Sequence, residues 1–180
     1  GSLRAFLDEF AVAYAPSAQS VVESRQRAQA ARSAGPALVV GNPQPVHPPL
    51  RYAREEAEAV AELFAGQATP FFETGATLDA VRRALPGKRI FHFAGHGVFD
   101  PDAPLDSGLV LSGGERLTLR AVRDEATLEG TSLVVLSACQ TGLTDFRELP
   151  DEVIGLPAGF LAAGAAGVVG SLWPVDDRST

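Results

Sequence analysis

Short apolar runs that stop abruptly at small residues constrain this chain most. Ala37-Leu38-Val39-Val40 closes at Gly41-Asn42-Pro43, and Leu133-Val134-Val135-Leu136 closes at Ser137-Ala138. Between them Ile90-Phe91-His92-Phe93-Ala94 closes at Gly95. Continuous apolar runs of this length, ended by turn-forming residues, read as central strands buried on both faces. The last two runs each deliver one reactive side chain just past the strand end. One delivers His96 and the other Cys139, the only cysteine in the chain.

The pattern around these runs alternates strand and helix. Strands are expected over residues 10–14, 37–41, 69–72, 89–94, 132–137 and 167–172. Helices are expected over 18–31, 52–64, 77–85, 118–124 and 152–163, with Thr77 placed to cap the third. Residues 108–111 and 116–119, joined by Ser112-Gly113-Gly114-Glu115, read as a hairpin. Residues 43–49, rich in proline, read as a loop. Alternation of this kind predicts an α/β fold with a central, mostly parallel sheet flanked by helices.

At 180 residues the chain has the length of one domain with a sizeable core. Its net charge of −7 argues against a nucleic-acid surface, which needs a basic stripe to neutralise phosphates. A single cysteine forms no internal disulfide, which fits a reducing, cytoplasmic compartment. No apolar stretch is continuous enough to span a bilayer, and residues 155–173 are interrupted by Pro157 and by glycines. Gly1-Ser2 reads as a cloning scar.

In open α/β sheets ligands lie outside the carboxyl ends of the strands. Asn42, His96, Cys139 and Trp173 all fall just past expected strand ends, so they are candidates to converge on one site. A lone cysteine is usually an inert core residue. Cys139 differs in following a strand, with small residues before it and Thr141-Gly142 after it. Thiolate formation needs a base or a positive field. His47 lies in the proline-rich loop and reads as solvated. His92 lies mid-strand and reads as a core histidine bonded to backbone. His96, between Gly95 and Gly97, is the favoured base. Zinc through His92, His96 and Cys139 is disfavoured, because a structural site wants four ligands at paired spacings. No GxxxxGK[ST] loop and no GxSxG elbow occurs. No metal and no cofactor is expected.

Several linked segments resemble the CHAT domain, a caspase- and separase-like module often fused to tetratricopeptide repeats. They are Tyr14-Ala15-Pro16-Ser17-Ala18, Leu38 through Pro43, Phe91-His92-Phe93-Ala94-Gly95-His96-Gly97, Pro104 through Leu111, Leu136-Ser137-Ala138-Cys139-Gln140-Thr141-Gly142, Gly155 through Ala165 and Ser171 through Asp177. The resemblance covers nearly the whole chain, residues 1–180, read as a single domain whose C-terminal part is expected to be absent. His96 precedes Cys139 by 43 residues, near the caspase-type spacing of about 50.

The resemblance implies a three-layer caspase–haemoglobinase fold and cysteine endopeptidase chemistry on a protein substrate. Carried over by position, Cys139 is the nucleophile, His96 the general base and acid, and the backbone N–H groups of Gly97 and Cys139 the oxyanion hole. No acidic third member is evident, so a dyad is expected. A helical-repeat region or partner protein is expected to regulate it, and no nucleic acid or membrane is expected to be contacted. In relatives selective for basic residues an aspartate stands two positions before the nucleophile. Here that position is Ser137, which leaves Asp106, Asp176 and Asp177 as candidate pocket acids beside Asn42, Ser137 and Trp173. The alternative is a catalytically silent caspase-like interaction module. Latency is compatible with either, through blockage of the cleft by residues 43–49 or 100–104.

Overall fold

The computed structural model describes residues 5–10, 12–30, 35–45, 48–100, 102–125, 128–138 and 155–171. Five strands form one parallel sheet: β1 (Ala37–Gly41), β2 (Ala68–Phe72), β3 (Ile90–Ala94), β7 (Leu133–Ser137) and β8 (Val168–Gly170), in the order β2-β1-β3-β7-β8. Proline at position 70 is tolerated because β2 is at the sheet edge. The two most fully buried strands, β1 and β3, are interior to the sheet. Every residue of β1 is buried, which is why it shows no polar alternation.

The alternation of side chains sorts the residues onto two faces. Leu38, Val40, Phe91, Phe93, Val134 and Leu136 enter the larger core. That face is covered by α3 (Leu78–Ala84), α4 (Leu119–Glu125) and α5 (Leu156–Ala162), through Val81, Val122 and Phe160. Phe91 and Phe160 meet with ring centroids 5.9 Å apart, and burying each such side chain contributes about 1.5–3 kcal/mol. The opposite face carries Ala37, Val39 and Ala94 against α2 (Ala53–Glu62). The result is a three-layer α/β fold.

Helix α2 is alanine- and glutamate-rich, with Glu55 and Glu56 in its first turn, where the helix dipole favours negative charge. It buries Ala53 and Ala57. A Cβ at Gly41 would stand 2.4 Å from the Cβ of Ala57, so glycine there lets α2 lie directly on β1. Thr77 caps α3 as expected, its hydroxyl accepting the Ala80 N–H at 3.2 Å.

Between β3 and β7 the chain builds a second, antiparallel sheet of β4 (Gly97–Val98), β5 (Gly108–Val110) and β6 (Arg116–Thr118). Its hairpin lies where the sequence places it. The helix expected over 18–31 is α1 (Ala18–Ala30), which buries none of its residues. It is pinned by Arg27, whose Nη1 donates to the carbonyls of Leu161 at 2.6 Å and Ala165 at 3.3 Å.

The strand expected over residues 10–14 does not form. Residues 10 and 12–15 have no regular structure and follow a 3-10 turn over Phe6–Asp8. Phe10, Val12 and Tyr14 are exposed, and a segment with no neighbouring strand has nowhere to place its backbone hydrogen bonds. The last helix begins at Leu156, after its Gly155 N-cap, with Pro157 in its first turn. Residues 152–154 of its expected span lie outside the described residues.

Candidate active site

The sheet register sets the geometry. Along β3 and β7, Ala94 is paired with Ser137. The ladder continues one step further, because the Gly95 N–H donates to the Ser137 carbonyl at 3.1 Å. On the other side of β3 the Asn42 N–H donates to the Ala94 carbonyl at 2.8 Å. Asn42, Gly95 and Ser137 therefore meet at one carboxyl edge; of the four residues expected to converge there, Asn42 and His96 are among the described residues. Asn42 takes a positive φ of 48°, and its Oδ1 accepts from Gln44 Nε2 at 2.9 Å.

His96 follows Gly95 and is half-buried. Its carbonyl accepts the Val110 N–H at 2.8 Å, which fixes its backbone to the small sheet. Its Nε2 lies 2.6 Å from the carbonyl oxygen of Pro48. A carbonyl only accepts, so Nε2 carries the proton and donates it. In the neutral ring Nδ1 is then the basic nitrogen. A backbone carbonyl thus occupies the orienting position for which no acidic side chain was found in the sequence. Gly95 has a packing reason to be glycine: an added Cβ would stand 2.7 Å from Phe93 Cζ and 3.1 Å from Pro43 Cδ. Gly97 opens β4 opposite Leu109.

Cys139 lies outside the described residues, as do Trp173, Asp176, Asp177 and His47. The backbone leading to Cys139 is held from three sides. Ser137 accepts from Gly95, the Ser137 hydroxyl donates to Glu56 Oε2 at 2.8 Å, and the Ser171 hydroxyl donates to the Ala138 carbonyl.

His92 is buried, but its partner is not the backbone carbonyl expected. Its ring points to the α2 face of β3, where Nε2 stands 3.1 Å from Glu56 Oε1. The contact is off hydrogen-bond alignment, and the nitrogen has no other partner. Glu56 was not legible as a site residue, because helix α2 reaches it to Ser137 only through the tertiary packing of α2 on β1. Its position in the first helical turn after the β1 loop was the available signal.

Asp106 is engaged elsewhere. It sits in the 3-10 turn Pro104–Asp106 and pairs with Arg120 of α4 at 3.2 Å. The neighbouring loop closes on itself. Asp100 Oδ1 accepts the N–H groups of Asp102 and Ala103, both at 3.0 Å, and Ser107 Oγ accepts that of Asp100 at 2.9 Å. Residues 43–49 come close to the site through Pro48 and are tied to the small sheet by the Ser112 hydroxyl, which donates to the Gln44 carbonyl at 2.8 Å. Among the described residues no group of three or more His, Cys, Asp or Glu side chains is placed to hold a metal. No helix among them is long and apolar enough to cross a membrane.

A three-layer α/β sheet with an oriented histidine at its carboxyl edge, beside the end of an adjacent parallel strand, is the architecture of the caspase-like peptidases. The family model of the CHAT domain matches residues 1–180, and the chain belongs to that caspase-like family. No curated protein gives a match.

Proposed function

We propose that this chain is a cysteine endopeptidase that cleaves a protein partner through Cys139 and His96. The observation that carries the reading is the pairing of Ala94 with Ser137 in parallel strands. His96 and Cys139 each follow that pair by two residues, and His96 has its proton committed to Pro48.

The chemistry follows from those roles. His96 Nδ1 takes the proton of the Cys139 thiol, and Sγ attacks the scissile carbonyl carbon. The oxygen of the tetrahedral intermediate is received by the backbone N–H groups of Gly97 and Cys139, a stabilisation of about 3 kcal/mol. His96 returns the proton to the leaving amine as the C–N bond breaks, leaving a thioester. Water then attacks with His96 as base, the C–S bond breaks, and the thiol recovers its proton. No metal or cofactor takes part. The Pro48 carbonyl orients the ring without accepting its proton, so the working unit remains a dyad. A helical-repeat region or partner protein controls access, and the enzyme works in the cytoplasm.

Intact-mass analysis after treatment with peptidyl acyloxymethyl ketones tests this. Labelling confined to Cys139, and lost in Cys139→Ala and His96→Ala, is the expected result. An unlabelled Cys139 in a folded chain would identify the domain as a catalytically silent interaction module.

A further inference from the structure

We infer that Glu56 is the specificity acid of this site and that it selects a substrate with lysine or arginine at the residue preceding the cleaved bond. The inference rests on the peptidase reading above.

Glu56 combines three features. First, it is at the right edge. Its carboxylate is held by the hydroxyl of Ser137, two residues before Cys139, at 2.8 Å. Second, no arginine or lysine among the described residues pairs with it. Among the ion pairs between described residues, every other carboxylate is matched by an arginine, with side chains between 42% and 72% exposed. The Glu56 side chain is only 28% exposed, and its one ion-pair partner among the described residues is His92. Third, that neighbour does not satisfy it. His92 Nε2 is buried at 3.1 Å from Oε1, off hydrogen-bond alignment.

A carboxylate largely withdrawn from water gains from a well-aligned cationic donor, and the buried His92 contact is not one. An ammonium or guanidinium entering beside Ser137 would supply both the missing charge and the missing donors. An acidic side chain would be repelled. A carboxylate at the base of the pocket that receives the residue before the scissile bond is how a protease selects basic side chains. In this chain Ser137 has no charge to offer. It instead holds the carboxylate that α2 provides. Asp106, the other described candidate, is already neutralised by Arg120.

The test compares labelling rates of Cys139 by peptidyl acyloxymethyl ketones that differ only in the residue before the warhead: arginine, lysine, citrulline, leucine and aspartate. Citrulline matches arginine in shape without its charge. The wild-type chain is expected to react about tenfold or more faster with the arginine than with the citrulline probe. In Glu56→Gln that ratio is expected to fall to near one, and Glu56→Asp is expected to retain part of it. Equal arginine and citrulline rates in the wild type would overturn the assignment and leave the peptidase reading intact. An unchanged ratio in a folded Glu56→Gln variant would do the same. The wild-type comparison needs no variant to fold. If no probe labels Cys139, the peptidase reading and the specificity assignment fall together.

Discussion

His96 donates its Nε2 proton to the carbonyl oxygen of Pro48 across 2.6 Å. The partner comes from the loop after β1, so the His96 ring is oriented by backbone that no side-chain substitution removes. Nitrogen-15 NMR of the His96 ring should find the neutral ring protonated at Nε2 and bare at Nδ1. A ring protonated at Nδ1 would contradict the geometry. His96→Ala should slow alkylation of Cys139 by peptidyl ketones by about 10²–10⁴-fold, the usual range for a positioned base.

Glycine at position 41 sets how closely α2 approaches the sheet. A Cβ there would meet Ala57 Cβ at 2.4 Å and Phe72 Cδ1 at 3.1 Å. Gly41→Ala should cost about 1–3 kcal/mol in chemical denaturation, the usual cost of overpacking. It should also displace α2, and Glu56 with it. A melting curve unchanged from wild type would show that α2 moves freely over β1.

The core of the molecule turns on Phe91 and Phe160, both fully buried. Phe91→Ala should destabilise by about 3–5 kcal/mol, from lost transfer energy and the cavity left behind. Val169 is 55% exposed on β8, so Val169→Ala should fall within about 0.5 kcal/mol of wild type. Comparable losses at the two positions in urea titrations would refute this assignment of the core.

Helix α1 buries nothing and is held to α5 through Arg27. Arg27→Ala should raise amide exchange across residues 18–30 while leaving exchange in β1 and β3 unaltered. Uniform protection in both proteins would mean that α1 is held by something other than this side chain.

The sheet was legible because its inner strands β1 and β3 are buried on both faces. Ala37–Gly41 has no polar position to blur the pattern, and its limits were read to the residue. The hairpin was legible from Gly113 and Gly114, both of which take positive φ. The segment 10–14 misled because alternating apolar residues describe a strand only when a neighbour completes the ladder, and none is placed beside it among the described residues. The site was legible in its sequence-local half. His96 announces itself by following a strand end. Glu56 and Pro48 do not, because each reaches the site by long-range packing: Glu56 meets Ser137 across 81 positions and Pro48 meets His96 across 48. The packing role of Gly95 was not legible for a related reason. Its missing side chain makes room for Phe93 and Pro43, which are close in space for reasons of fold.

The pairing of β3 with β7 has a kinetic consequence. Ile90 meets Leu133 only after a whole antiparallel sheet and α4 have been threaded between them. Pairings so distant along the chain form slowly, because loop closure must precede the contacts that reward it. A polypeptide emerging during synthesis would carry its base long before the strand that leads to its nucleophile had docked. On the proposed peptidase reading, the ordering of the strands would therefore delay the onset of cutting until the sheet is built, without any inhibitor.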